Sequence, residues 1–258
     1  MKELKTKVCR NEKIAPGIYE MDLRLPEDIE FRCGQFVNLS VGDGAHLLRR
    51  PFAVAFYDRG KRIIGVCYQV KGEGTKLLSA KKEGDELTCV LPLGNGFSIA
   101  EGQKRVALVG GGVGIFPLLS VLGEYRESDK YFCSCMGFRS REYVNTFSLF
   151  DKRSDEFLAA TDDGSFGVKG NAVQLFFDNY DGAKPDVILA CGPTPMLRAL
   201  KSGLKERNIA VPCYVSLEER MGCGIGACLV CVCKRSGKEE NARVCKDGPV
   251  FEINEVEL

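Results

Sequence analysis

The stretch Cys223-Gly224-Ile225-Gly226-Ala227-Cys228-Leu229-Val230-Cys231 constrains this chain more than any other. Three thiols at C-x4-C-x2-C spacing, interleaved with Gly224, Gly226 and Ala227, suit a loop that wraps an inorganic cluster while its amides reach toward sulfur. A fourth thiolate is required, and Cys245 supplies it after thirteen intervening residues. The loop spacing is that of plant-type [2Fe-2S] ferredoxins, whose fourth ligand lies further away than Cys245 does here, and the expected centre is held by Cys223, Cys228, Cys231 and Cys245. Cys233 competes for a ligand place, although using it breaks the spacing. A structural zinc site is the other reading. Zinc ribbons usually present two C-x2-C knuckles, and only one such pair exists here.

The other cysteines are less telling. Of thirteen in all, Cys9, Cys33, Cys67, Cys89, Cys191 and Cys213 stand alone and read as small buried hydrophobes. Cys133 and Cys135 are spaced to share one face of a strand. The start, Met1 to Lys7, has no apolar signal region, so this thiol-rich chain is expected in a reducing compartment, the cytoplasm. Val106 to Gly123 carries no charge but holds bunched glycines and Pro117. It reads as strand, glycine turn and buried helix, and no membrane association is expected. A net charge of +1 with mixed signs leaves no footprint for nucleic acid. His46 is the single histidine, so a mechanism built on several histidines is excluded. No catalytic side chain is assigned; hydride and electron transfer by cofactors suit such a chain.

Hydrophobic periodicity divides the chain into three parts. Residues 1–98 read as short strands separated by turns, among them Gln35–Val41, Arg62–Val70 and Glu86–Leu91, with a short helix near Thr75–Ala80. That pattern implies an antiparallel barrel. Residues 99–213 alternate strand and helix, which implies a parallel sheet and an α/β nucleotide-type domain. Residues 214–258 form a small cysteine-rich module. The expected class is therefore α+β and multidomain.

Three motifs could hold phosphate or nucleotide. Arg49-Arg50-Pro51-Phe52-Ala53 opens a strand, and its guanidinium groups suit a pyrophosphate. Gly72-Glu73-Gly74-Thr75-Lys76 turns into a helix N-terminus, an anion site. Val109-Gly110-Gly111-Gly112-Val113-Gly114 lies between strand and helix, with Pro117 where a dinucleotide fingerprint has its third glycine. Cys191-Gly192-Pro193 marks a second strand-to-helix turn, and two such turns at the carboxyl edge of one sheet form a ligand crevice.

With these motifs in this order, the sequence resembles the ferredoxin–NADP reductase superfamily over nearly its whole length. Ser216 to Cys228 and Val244 to Phe251 look like the electron-transfer subunits of NAD-dependent dihydroorotate dehydrogenases. The resemblance implies FAD contacts from Arg50, Pro51, Phe52, Ala53, Cys67, Tyr68, Gln69, Gly74 and Thr75. It implies cluster ligation by the four cysteines, and NAD at the two glycine turns. Two positions depart from the family: Ala53 replaces a usual serine, and Gln69 stands where a basic residue is common. The implied partner is an FMN-containing dihydroorotate dehydrogenase catalytic subunit, two of each chain forming a heterotetramer, in pyrimidine biosynthesis. The implied route runs from dihydroorotate to FMN, then cluster, FAD and NAD. A hydrogenase, sulfide dehydrogenase or transhydrogenase could replace that partner. A zinc-stabilised or redox-sensing binding module is the alternative of another class.

Overall fold

The computed structural model describes residues 1–42, 44–146, 150 and 152–258. Strands β1 (Lys2–Ala15), β2 (Ile18–Arg24), β3 (Phe36–Leu39), β4 (Arg50–Asp58), β5 (Ile63–Gln69) and β6 (Glu86–Leu93) close a barrel in the order β1-β2-β5-β4-β3-β6. All its pairings are antiparallel. The period of two is plain in β6, where Leu87, Cys89, Leu91 and Leu93 are buried in alternation with more open residues. Helix α1 (Glu73–Ser79) lies between β5 and β6.

The second unit is a seven-stranded sheet flanked by helices. Strands β7 (Arg105–Gly111), β8 (Tyr131–Phe138), β9 (Glu156–Thr161), β10 (Val168–Lys169), β11 (Val187–Cys191) and β12 (Cys213–Ser216) run parallel. Their order is β10-β9-β8-β7-β11-β12. The strand order reverses at β7, between β8 and β11, and opens a crevice beyond the strands' carboxyl ends, where such sheets take ligands. Strands β7 and β11 are buried nearly throughout, as both sheet faces are covered. Helices α2 (Phe116–Glu124), α3 (Ala172–Asp178), α4 (Tyr180–Ala183) and α5 (Thr194–Glu206) provide the cover. Cys133 and Cys135 share one buried cluster, as their spacing implies.

The C-terminal segment belongs partly to this sheet. After the cysteine loop come the hairpin β13 (Val232–Lys234) and β14 (Asn241–Arg243), then helix α6 (Val244–Asp247). Strand β15 (Val250–Glu252) then pairs antiparallel with β12, so the sheet takes in both ends of residues 214–258. Phe36 and Leu93 of the barrel wall lie in one buried cluster with Cys231, Ala242, Val244 and Cys245. The segment thus packs on barrel and sheet together. Asn95 pins it: its side chain donates to Asp247 O and Val250 O at 3.1 and 3.0 Å and accepts from Val250 N at 3.2 Å.

Several strands are not named from the sequence, among them β2, β10, β13 and β14, and two more show why periodicity fails. The longest, β1, carries charges along most of its length, and its alternation is blurred by register shifts against β2. Strand β15 is three residues long. Elsewhere the expected elements lie within a few residues of those found. The uncharged run from Val106 folds as β7, a 3-10 turn (Gly112–Ile115) and α2. Among the described residues, no helix is long and apolar enough to cross a membrane.

Candidate functional site

A cavity of about 300 Å³ opens between the barrel and the carboxyl edge of the sheet. Barrel strands β4 and β5 line it with Pro51, Phe52, Ala53, Cys67, Tyr68 and Gln69, and Thr75 joins them from α1. From the sheet side come Val113, Phe116, Pro117 and Cys191, and from beyond β12 Leu217 and Glu218. The structure therefore brings most of the expected flavin-side residues to one wall. Phe52 leans on Tyr68, ring centroids 5.3 Å apart, and Tyr68 donates its hydroxyl to Asn11 Oδ1 at 2.9 Å. Burial raises the Tyr68 phenol well above its ordinary value, so it is a neutral donor.

Arg50 and Gly74 lie beside this wall and touch one another. A Cβ added at Gly74 would overlap the Arg50 guanidinium, so only glycine lets that group lie over the start of α1. Arg50 also donates to the Leu48 carbonyl. Thr75 is less free than the sequence implies. Its hydroxyl accepts from Lys71 N and Gly72 N at 3.0 and 3.2 Å and donates to Gly72 O at 2.9 Å, so it caps α1.

The two glycine turns abut at the crevice. A Cβ on Gly114 would come within 2.6 Å of Gly192 Cα and 2.7 Å of Gly192 N, backbone atoms that cannot yield. Gly111 faces Met196 Sδ, 2.9 Å from where its Cβ would stand. Gly112 holds φ +59° with open space around its Cα. Cys191 and Pro193 frame the second turn; burial raises the Cys191 thiol far above its ordinary value, so it is an inert wall.

The four cysteines form two pairs. Cys223 N donates to Cys228 Sγ at 3.3 Å, while Ile225, Ala227 and Cys228 offer amides to Cys223 Sγ at 3.4, 3.3 and 3.4 Å. Cys245 N reaches Cys231 Sγ at 3.4 Å. Desolvation raises the Cys223 thiol, but those amide donors outweigh it and bring it down to about 6. Burial beside Cys231 pushes Cys245 up to about 12. Cys233 turns to a different place, a second cavity it lines with Gly192, Pro193, Arg198 and Lys234. Burial raises its thiol as well, with Glu219 adding to the effect.

Comparison with known proteins bears on this geometry. A sequence profile for the iron-sulfur cluster binding domain of dihydroorotate dehydrogenase B matches residues 218–257. The dihydroorotate dehydrogenase B (NAD(+)) electron transfer subunit of Bacillus pumilus is 40% identical, covering 100% of this chain and 99% of its own. This chain belongs to that family. The Fusobacterium nucleatum subunit of the same name is 37% identical over 97% of both chains.

As a member of this family, it is an electron-transfer subunit of an oxidoreductase. A solved structure of an NADH-dependent reduced ferredoxin-NADP oxidoreductase superposes with a TM-score of 0.84 and 33% identity, covering 98% of this chain and 89% of that one. A Neisseria gonorrhoeae ferredoxin NADP+ reductase with bound FAD and NADP shares the fold at a TM-score of 0.67 and 18% identity, over 80% and 92% of the two chains.

Three features of the site were not read from the sequence. Lys71 and Phe36 line the cavity, and Glu218 lies where the two cavities meet. Desolvation there raises the Glu218 carboxyl above the usual carboxylate range, with Lys71 opposing the shift. Ser216 to Glu219 carried only family resemblance in the sequence, with no motif chemistry of its own.

The abutting glycines give a direct test. Gly114→Ala forces the two turns apart and is expected to cost about 1–3 kcal/mol as overpacking. Urea unfolding would register that loss, and weaker NADH binding should accompany it. An alanine variant as stable as the parent would show that the turns do not touch in solution.

Proposed function

We propose that this chain passes electrons from the FMN of a dihydroorotate dehydrogenase catalytic subunit to NAD+, using a [2Fe-2S] cluster and FAD held by its own residues. The observation that carries the reading is the pairing of the four cysteines. Two thiolates per iron is the ligand demand of a two-iron cluster, and Cys223/Cys228 and Cys231/Cys245 meet it as pairs. A single zinc ion needs four ligands converging on one point. Among the described residues no three metal-binding side chains converge in that way. The amides around Cys223 Sγ also suit anionic sulfur.

The cavity fits a flavin in its chemistry. Apolar and aromatic walls from Pro51, Phe52, Ala53, Cys67 and Tyr68 suit the ring system, with Gln69 as a polar handle. Arg50, over the start of α1 at Gly74 and Thr75, suits the pyrophosphate. Gly112 leaves backbone open for NAD, and the close packing of Gly111 and Gly114 with Cys191, Gly192 and Pro193 shapes the crevice around it. When bound, the cluster supplies one-electron transfer, and FAD joins it to the two-electron hydride chemistry of the nicotinamide. The chain's own work is to hold these groups close, exclude water with its apolar walls, and present the crevice. Ala53 and Gln69 line the cavity, so the departures from the family pattern fall on the flavin's own surroundings.

The partner reading rests on family membership and on the loop's surface. Ile225, Leu229 and Val230 are 43%, 63% and 54% exposed, apolar side chains bunched beside the cysteines. Such a patch suits a covering protein surface. A heterotetramer of two catalytic and two electron-transfer subunits in the cytoplasm completes the proposal.

Reconstitution tests it. The isolated holoprotein should oxidise NADH with an artificial acceptor and leave dihydroorotate untouched. Adding the FMN-bearing subunit should give dihydroorotate-dependent NAD+ reduction. Dihydroorotate turnover by this chain alone, or no coupling with the partner present, would overturn the scheme.

A further inference from the structure

Asn38 is a buried polar residue that neither the cavity nor the cysteine pairs account for. It lies in β3, 1% exposed, two residues after Phe36 and so on the same outer face of the barrel wall. Register sets it opposite Pro51 of β4 and Val90 of β6. The cysteine loop closes over it. A Cβ at Gly224 would lie 2.7 Å from Asn38 Nδ2, so glycine there lets the loop come down on the amide, at a φ of +73°. The other end of the carboxamide, Oδ1, is buried without a hydrogen-bond partner among the described residues. Leucine would fill the same space without leaving an orphan oxygen, and buried orphans are rare enough to need a cause.

We propose that Asn38 is a positioning residue for electron exchange between cluster and flavin, its carboxamide holding the cysteine loop against the strand that carries Pro51. The inference rests on the cofactor reading above. Asn38 joins the two sites by position alone: Gly224 belongs to the cluster loop, Pro51 to the flavin cavity, and Phe36 on the same face lines that cavity. The carboxamide dipole, its Nδ2 end turned toward Gly224, favours the more negative, reduced cluster, because local polarity sets such potentials. An apolar replacement should make the cluster harder to reduce.

The experiment uses the holoprotein with Asn38→Leu and Asn38→Ser. It reads iron and flavin content, the reduced-state EPR spectrum, the cluster potential by dye-mediated titration, and the rate of cluster reduction after mixing with NADH. Leucine is expected to keep iron and flavin, alter the EPR spectrum, and shift the cluster's reduction equilibrium about tenfold toward the oxidised form, about 59 mV for one electron. Cluster reduction by NADH should slow about tenfold. Serine retains a donor and should shift the equilibrium less. A leucine variant with parental spectrum, potential and rate overturns the inference. If leucine prevents cluster assembly, Asn38→Ala, which removes the carboxamide without adding bulk, decides, and parental values in all three readings overturn the inference. A parent protein without iron and sulfide would instead overturn the cofactor reading, which keeps the two failures distinct.

Discussion

Cys228→Ser is expected to abolish the cluster, while Cys233→Ser leaves it in place. Cys228 sits inside the C-x4-C-x2-C spacing, its thiol receives the amide of Cys223, and its own amide points at Cys223 Sγ. Replacing it removes one thiolate and a partner of the neighbouring one, so iron and acid-labile sulfide should fall to background and the reduced-state EPR signal should vanish. Cys233 faces the second cavity, and its raised thiol is protonated at neutral pH. Retention of the cluster without Cys231, coupled with its loss without Cys233, would show that the ligand set is wrong. The iron-free chain gives an independent check by alkylation. Cys223, lowered to about 6, is a thiolate above that pH and should react with iodoacetamide at pH 7. Cys233 should stay inert there, because its raised value keeps it a thiol.

The residues that announced themselves in the sequence are those whose chemistry demands fixed spacing. The cysteine loop is legible because cluster ligation needs thiols at set intervals with small residues between them. The glycine turns are legible because abutting backbones, as at Gly114 and Gly192, admit no side chain. The parallel sheet followed from apolar runs in β7 and β11. What stayed hidden depends on contacts between distant parts of the chain. Strand β1 carries a charged outer face and register shifts that mask its period. Asn95 reads as a turn residue, yet its side chain fastens the C-terminal segment across more than 150 positions. Asn38 reads as a polar residue in an apolar strand, a small breach of pattern with no local meaning until Gly224 closes over it. Glu218 likewise acquires its raised carboxyl only where two cavities meet. These three breaches of pattern, at Asn38, Asn95 and Glu218, fall where the C-terminal segment meets the barrel and the sheet.

Arg50→Ala is expected to weaken FAD binding by about tenfold to a hundredfold. The residue opens β4 immediately before Pro51, which lines the cavity. Its guanidinium lies over Gly74 at the start of α1, and a helix start favours an anion. Hydrogen bonds to charged groups contribute about 1.5–3 kcal/mol each, which sets the size of the loss. Arg50→Lys should fall between, since an ammonium keeps the charge but not the fork that grips two oxygens. Gly74→Ala approaches the same contact from the other side: its methyl group must displace the guanidinium, so flavin should be lost although Arg50 remains. Flavin content of the purified variants, and dissociation followed by flavin fluorescence on dilution, measure all three. Full occupancy of the Arg50→Ala protein at dilute concentration would remove Arg50 from the flavin site. A Gly74→Ala protein that keeps its flavin while Arg50→Ala loses it would separate the charge of the guanidinium from its place over α1.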